Sequence, residues 1–111
     1  MSVKTRSQIY SERAWTELSK IDLKDEFVTR ARSFPALIHN AGACQAWAFT
    51  CAKDGLEGAF PKVLKAVANE DFATLKSVDL SQYMLLSEQM MEAAQWIKTT
   101  VDALKPENQE G

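Results

Sequence analysis

Arg30-Ala31-Arg32-Ser33-Phe34-Pro35-Ala36-Leu37-Ile38-His39-Asn40-Ala41-Gly42-Ala43-Cys44-Gln45-Ala46-Trp47-Ala48-Phe49 is the stretch whose reading decides the fold. From Pro35 onward nearly every position is apolar or small, so a helix here has almost no polar face. A helix apolar on all sides belongs inside a bundle. Ser33 is a fitting N-cap, and Pro35 falls in the first turn, where a missing N–H costs nothing. The helix is expected to run to Lys53 and stop at the turn Asp54-Gly55. Gly42 then falls in mid-helix, at a cost of about 0.5–1 kcal/mol relative to Ala. With Ala41, Ala43 and Ala46 around it, the position predicts a close approach by a second helix.

Working outward, helical periodicity continues on both sides. A first helix is expected over Lys4 to Lys20, with Ile9, Ala14 and Leu18 inward and Trp15 beside them. A short second one covers Leu23 to Arg32. Beyond Gly55, a helix from Ala59-Phe60-Pro61 to Asn69 carries a buried stripe of Phe60, Val63, Leu64, Val67 and Ala68. A short piece follows over Phe72 to Val78. The last helix is capped by Asp79 or Ser81. Its inward residues, Tyr83, Leu86, Met90, Ala93, Ile97, Thr100 and Leu104, keep a three-four spacing throughout. Alternating β-branched runs are missing. The reading is an all-α, single-domain bundle (1–105) of five to six helices, with a central apolar helix and a long C-terminal one, followed by a disordered tail at 106–111.

The composition fits a folded protein. The chain has 111 residues, 46% of them hydrophobic, enough for one domain. No apolar run approaches membrane-spanning length, and no signal-type segment opens the chain, so a cytoplasmic protein is expected. Cys44 and Cys51 would lie about 10 Å apart on one helix, too far for a disulfide, and read as small buried hydrophobes in a reducing compartment. Net charge is −2 but unevenly spread. Residues 1–65 hold ten Lys/Arg against seven Asp/Glu, a net +3, and residues 66–111 hold three against eight, a net −5. One surface thus favours an anion and another a basic partner.

Catalysis finds little support. His39 is the single imidazole, expected to be partly buried with one hydrogen bond. It has no second His or close Cys cluster for a metal site. No glycine-rich phosphate loop or nucleophile-elbow pattern is present. No cofactor is implied. Met84, Met90 and Met91 read as core or interface filler. The basic residues point further. Arg13 with Glu17, Arg30 with Glu26 and Lys98 with Asp102 have partners four residues away on a helix. Arg32, Lys53, Lys62 and Lys65 have none, and such groups typically contact phosphates without reading bases. These four are the candidate nucleic-acid-binding residues.

The run from Arg32 to Phe49 also resembles a motif of the small subunit of type III-B CRISPR effector complexes, the Cmr complex. That family shows a basic residue before Leu-Pro, an Ile three residues after the proline, Asn-Gly later, then Gln and an aromatic Ala-Phe ending. Pro35, Ile38, Gly42, Gln45, Ala48 and Phe49 fit it. Phe34, Ala41 and Ala43 depart from it at core or turn positions. Asp79-Leu80-Ser81-Gln82-Tyr83-Met84 and Trp96-Ile97-Lys98 are similar to the family's last helix. Tyr10, Ala14 and Trp15 sit where it has its first amphipathic helix. The resemblance implies a non-catalytic, architectural role in RNA-guided antiviral defence. Copies would stack into a filament beside the backbone subunits that hold the guide RNA, line the target-RNA channel and touch the large subunit. The reading from another class is a helical protein–protein adaptor or dimerisation module without nucleic-acid contact.

Overall fold

The computed structural model describes residues 3–55 and 57–106. Among them every regular element is helical: α1 (Arg6–Ser19), α2 (Asp25–Ala41), α3 (Ala43–Asp54), α4 (Ala59–Ala68), a 3-10 turn (Phe72–Lys76) and α5 (Leu80–Leu104). The all-α expectation holds, and the boundaries of the first, fourth and last helices fall close to those read from the pattern. The tail expected at 106–111 lies outside the described residues from position 107 on.

The central stretch is organised differently from its sequence reading. There is no helix start at Ser33. Instead α2 runs straight through Pro35, and Ser33 Oγ donates to the Arg30 carbonyl at 3.3 Å. An internal proline removes one helical hydrogen bond and crowds the carbonyl four residues back, at a cost of about 3 kcal/mol. Burial overrides that cost here: Phe27, Val28, Ala31, Phe34, Pro35 and Ile38 form one continuous inward face of α2. The Phe34 and Phe60 rings lie 4.9 Å apart, tilted by 60°, and Phe27 meets Phe60 at 5.7 Å. Such tilted pairs add about 0.5–1.5 kcal/mol each beyond area burial.

The break falls at Gly42 instead. Its backbone has φ 90° and ψ 159°, a region open to glycine and closed to side chains with a Cβ. The residue ends α2 and begins α3 at once: its N–H donates to Ile38 O at 2.8 Å, and its carbonyl accepts from Ala46 N at 2.9 Å. The close helix approach expected at Gly42 is absent. A Cβ built there would meet only the Tyr83 hydroxyl, at an ordinary 3.7 Å. What needs glycine is the torsion, not the space. The same hydroxyl accepts the Cys44 N–H at 3.2 Å and so caps the start of α3 from outside.

Division at Gly42 leaves α3 with one buried face and one exposed face, the exposed one still partly apolar. Ala43, Ala46, Trp47 and Thr50 are buried, while Gln45, Ala48, Phe49 and Lys53 face solvent. No described helix takes the inner position expected for one long apolar helix: α2 touches α3, α4 and α5 with one face and leaves Thr29, Ser33, Ala36 and Asn40 exposed on the other. Helix α5 meets every other element. It runs opposite to α2, as the pairs Arg32–Asp102 and Cys44–Tyr83 show. It runs alongside α1 in the same direction: Arg6 pairs with Glu92 at 2.7 Å, Trp96 Nε1 donates to Ser7 Oγ at 3.0 Å, and Lys105 Nζ reaches Leu23 O just beyond α1.

N-cap side chains hold the starts of α1, the 3-10 turn and α5, whereas Lys24, Gly42 and Gly58 at the starts of α2, α3 and α4 make no such bond. Thr5 and Gln8 form a reciprocal capping box on α1, Asp71 accepts from Ala73 N, and Asp79 accepts from Gln82 N. Three side chains sit farther out than expected. Trp15 is 43% exposed, and Tyr10 takes the core position on α1 in its place. His39 is exposed in the last turn of α2, and Leu104 is exposed at the end of α5. Cys44 and Cys51 are free and half-buried.

Candidate nucleic-acid interface

Two residues along a helix turn the side chain by 200°. Arg30 and Arg32 therefore leave α2 on opposite sides. Arg30 reaches α3, not Glu26: its Nε and Nη2 donate to the two Asp54 oxygens at 2.9 and 3.1 Å. Thr50 Oγ1 donates to the same carboxylate at 2.9 Å. Chiefly through the Arg30 hydrogen bonds, the Asp54 carboxyl is held below its usual range, and the guanidinium is raised in turn. Arg13 likewise bypasses Glu17 and donates to Val67 O at 3.1 Å.

Arg32 turns toward the end of α5. Its Nε donates to Asp102 at 2.8 Å and its Nη2 to Lys105 O at 2.8 Å. Lys98 approaches the same carboxylate at 3.6 Å, as the sequence spacing indicates. Asp102 is lowered from its ordinary value, most of all by the Arg32 hydrogen bond. Arg32 thus fastens the C-terminal end of α5 to α2.

Lys62 and Lys65 share the outer face of α4, away from its buried stripe. Lys62 lies at a loose 4.0 Å from Glu57. Lys65 forms no ion pair among the described residues, but its charge is felt at Cys51. There, burial pushes the thiol up and Lys65 partly offsets it. Glu57, Glu70 and Asp71 line the same groove as the two lysines, so this is a mixed surface and not a purely basic one.

Lys53 ends α3. Its ammonium lies 5.8 Å from the centre of the Phe49 ring, with the Arg30 guanidinium at 5.2 Å. It also lines a groove with Lys24, Phe27 and Phe60 that carries three carboxylates as well, Asp22, Glu26 and Asp54, so this surface too is mixed in charge. Lys24 escaped the sequence reading, although it too has no acidic residue four positions away and makes no ion pair among the described residues. The structure therefore groups Lys62 with Lys65, sets Lys53 beside Lys24 and Phe49, and sends Arg32 elsewhere.

These features define a small all-α protein with open, charged surfaces and shallow grooves along its helix edges. Comparison with known proteins agrees. The family model described as CRISPR-associated protein (Cas_Cmr5) matches residues 6–104. A Thermus thermophilus protein, "CRISPR system Cmr subunit Cmr5", is 27% identical over 111 residues, covering 92% of this chain and 97% of its own length. The crystal structure of a Cmr5 family protein from Thermus thermophilus superposes with a TM-score of 0.81 at 27% identity, covering 91% of this chain and 98% of that one. The chain belongs to the Cmr5 family, the small subunits of the type III-B CRISPR (Cmr) system.

Proposed function

We propose that this chain is a non-catalytic, cytoplasmic small subunit that packs against the backbone and large subunits of an RNA-guided, RNA-targeting complex and against further copies of itself. In this reading Lys53, Lys62 and Lys65 contact the phosphates of target RNA beside the guide. The observation that carries it, within a family of CRISPR subunits, is that Lys53 and Lys65 are exposed and make no carboxylate pair among the described residues. Arg32 keeps a place in the set through the end of α5, which it orients. Among the described residues no helix is long and apolar enough to cross a membrane.

A second observation favours protein contacts at another place. Leu80 is 73% exposed and Met84 57%, with Leu85 beside them on the first turns of α5. Apolar side chains grouped this way suit a protein neighbour. An adaptor without RNA contact would use this surface alone.

Purification of the tagged chain from its host, with the bound RNA sequenced, separates the two. Guide RNA carrying a CRISPR repeat tag, recovered with backbone and large subunits, supports the proposal. Recovery of unrelated proteins without RNA refutes it. Replacing Lys53, Lys62 and Lys65 by Ala is expected to weaken RNA binding and to flatten its salt dependence by about 0.7 per lost contact on a single strand.

A further inference from the structure

We infer that Phe49 is a stacking platform for one unpaired base of a single-stranded RNA, with Lys53 taking the adjoining phosphate. This rests on the RNA reading above and adds to it a base contact that the basic residues alone do not supply. Phe49 is a large apolar side chain left 39% exposed on a helix whose other face is buried. A single exposed apolar residue needs no explanation. This one differs in its surroundings.

Arg30 lies over the ring at 5.2 Å, and both Asp54 oxygens hold its guanidinium there. Its charge is thereby matched, so it fixes the ring and is not available to a phosphate. Lys53, one turn further along the same helix, is 5.8 Å from the ring centre and has no ion pair among the described residues. A partly exposed aromatic ring next to an ammonium with no carboxylate partner among the described residues is the arrangement that single-strand binders use, the ring for a base and the cation for the backbone. Asp25 and Glu26 line the same groove as Lys53. An RNA strand is therefore expected to touch this place with one base and one phosphate and not to follow the groove. Stacking is indifferent to base identity, which suits a surface that must accept any target sequence.

The test uses the full chain, free and in the assembled complex, with an oligouridine of about ten nucleotides, within the span of known single-strand sites. Phe49→Leu keeps an apolar side chain against Arg30 and removes the π-face. It is expected to weaken oligouridine binding by about 5- to 30-fold, the lower part of the range for one stacked base. The slope of affinity against salt should stay unchanged. Phe49→Trp should restore affinity, and Lys53→Ala should flatten the slope by about 0.7. In the complex, 4-thiouridine in the RNA should photo-crosslink to the peptide containing Phe49. If Phe49→Leu binds like the native chain while Lys62→Ala and Lys65→Ala weaken binding, the platform is overturned and the RNA reading stands. If Phe49→Leu keeps its RNA affinity but drops out of the complex, the ring is a protein anchor and the platform is again overturned. If neither the native chain nor its complex binds the RNA, both readings fall.

Discussion

Replacing Gly42 by Ala discriminates between two architectures by the sign of its effect. If residues 33–53 formed one continuous helix, Ala would be favoured there by about 0.5–1 kcal/mol. The melting temperature would rise by roughly 2–4 °C in a chain of this size. In the structure the backbone at Gly42 has φ 90° and ψ 159°, and a non-glycine residue so placed is strained by about 1–3 kcal/mol. Stiffening the unfolded chain returns about 0.4–1 kcal/mol. Relaxing the strain by straightening the helix offers no escape. It would pull the Cys44 N–H from the Tyr83 hydroxyl and shift Trp47, whose ring lies 5.6 Å from Phe72. The expected outcome is a net loss of about 1–2 kcal/mol, read as a melting temperature lower by roughly 4–8 °C. Differential scanning calorimetry or helix loss by circular dichroism gives the number. A rise in melting temperature would refute the account of the break. Gly55→Ala is the matched control: it has φ 82° with nothing within 4 Å of the added methyl, so it should lose stability through torsion alone.

Phe34→Ala removes a fully buried ring that meets Phe60 and should cost about 3–5 kcal/mol in a denaturant titration. Asp54→Asn should cost about 1 kcal/mol at neutral pH. Because the folded carboxyl is held below its ordinary value, its stabilising effect is complete above the unfolded value of about 3.9 and fades as pH falls through the folded one. The stability gap between native and Asp54→Asn proteins should therefore close in melts run below about pH 4. Arg32→Ala should lower thermal stability by about 1 kcal/mol through the lost Asp102 and Lys105 contacts, whereas Lys65→Ala should leave melting unchanged within about 0.5 kcal/mol.

What the sequence revealed follows from which forces act locally. The stripes of α4 and α5 repeat every three or four residues, so Phe60 through Ala68 and the row Leu86, Met90, Ala93, Ile97 and Thr100 were readable, while the neighbouring buried Ala94 and Val101 were not. The stretch around Pro35 and Gly42 misled because two local rules competed with packing. The residue before a proline is biased against helix, yet Phe34 is helical because its ring is buried on α2. A glycine among alanines reads as a packing position, and nothing local announces a positive φ. The basic residues show the same limit. Rules of spacing four along a helix found Lys98 with Asp102. They missed Arg30 with Asp54 and Arg32 with Asp102, which lie 24 and 70 residues apart in sequence. Lys24 and the Thr5–Gln8 capping box were within reach of the same local rules.

The pairing of α1 with α5 bears on how this chain emerges from a ribosome. Ser7 meets Trp96 across 89 residues of sequence, and Arg6 meets Glu92 across 86. The apolar side of the first helix, Tyr10, Ala14 and Leu18, therefore has no complete shelter until α5 has been made. Productive collapse is expected to be a late, all-or-none event, slowed by closure of so long a loop. A nascent chain halted before Trp96 would keep α1 available to chaperones and proteases.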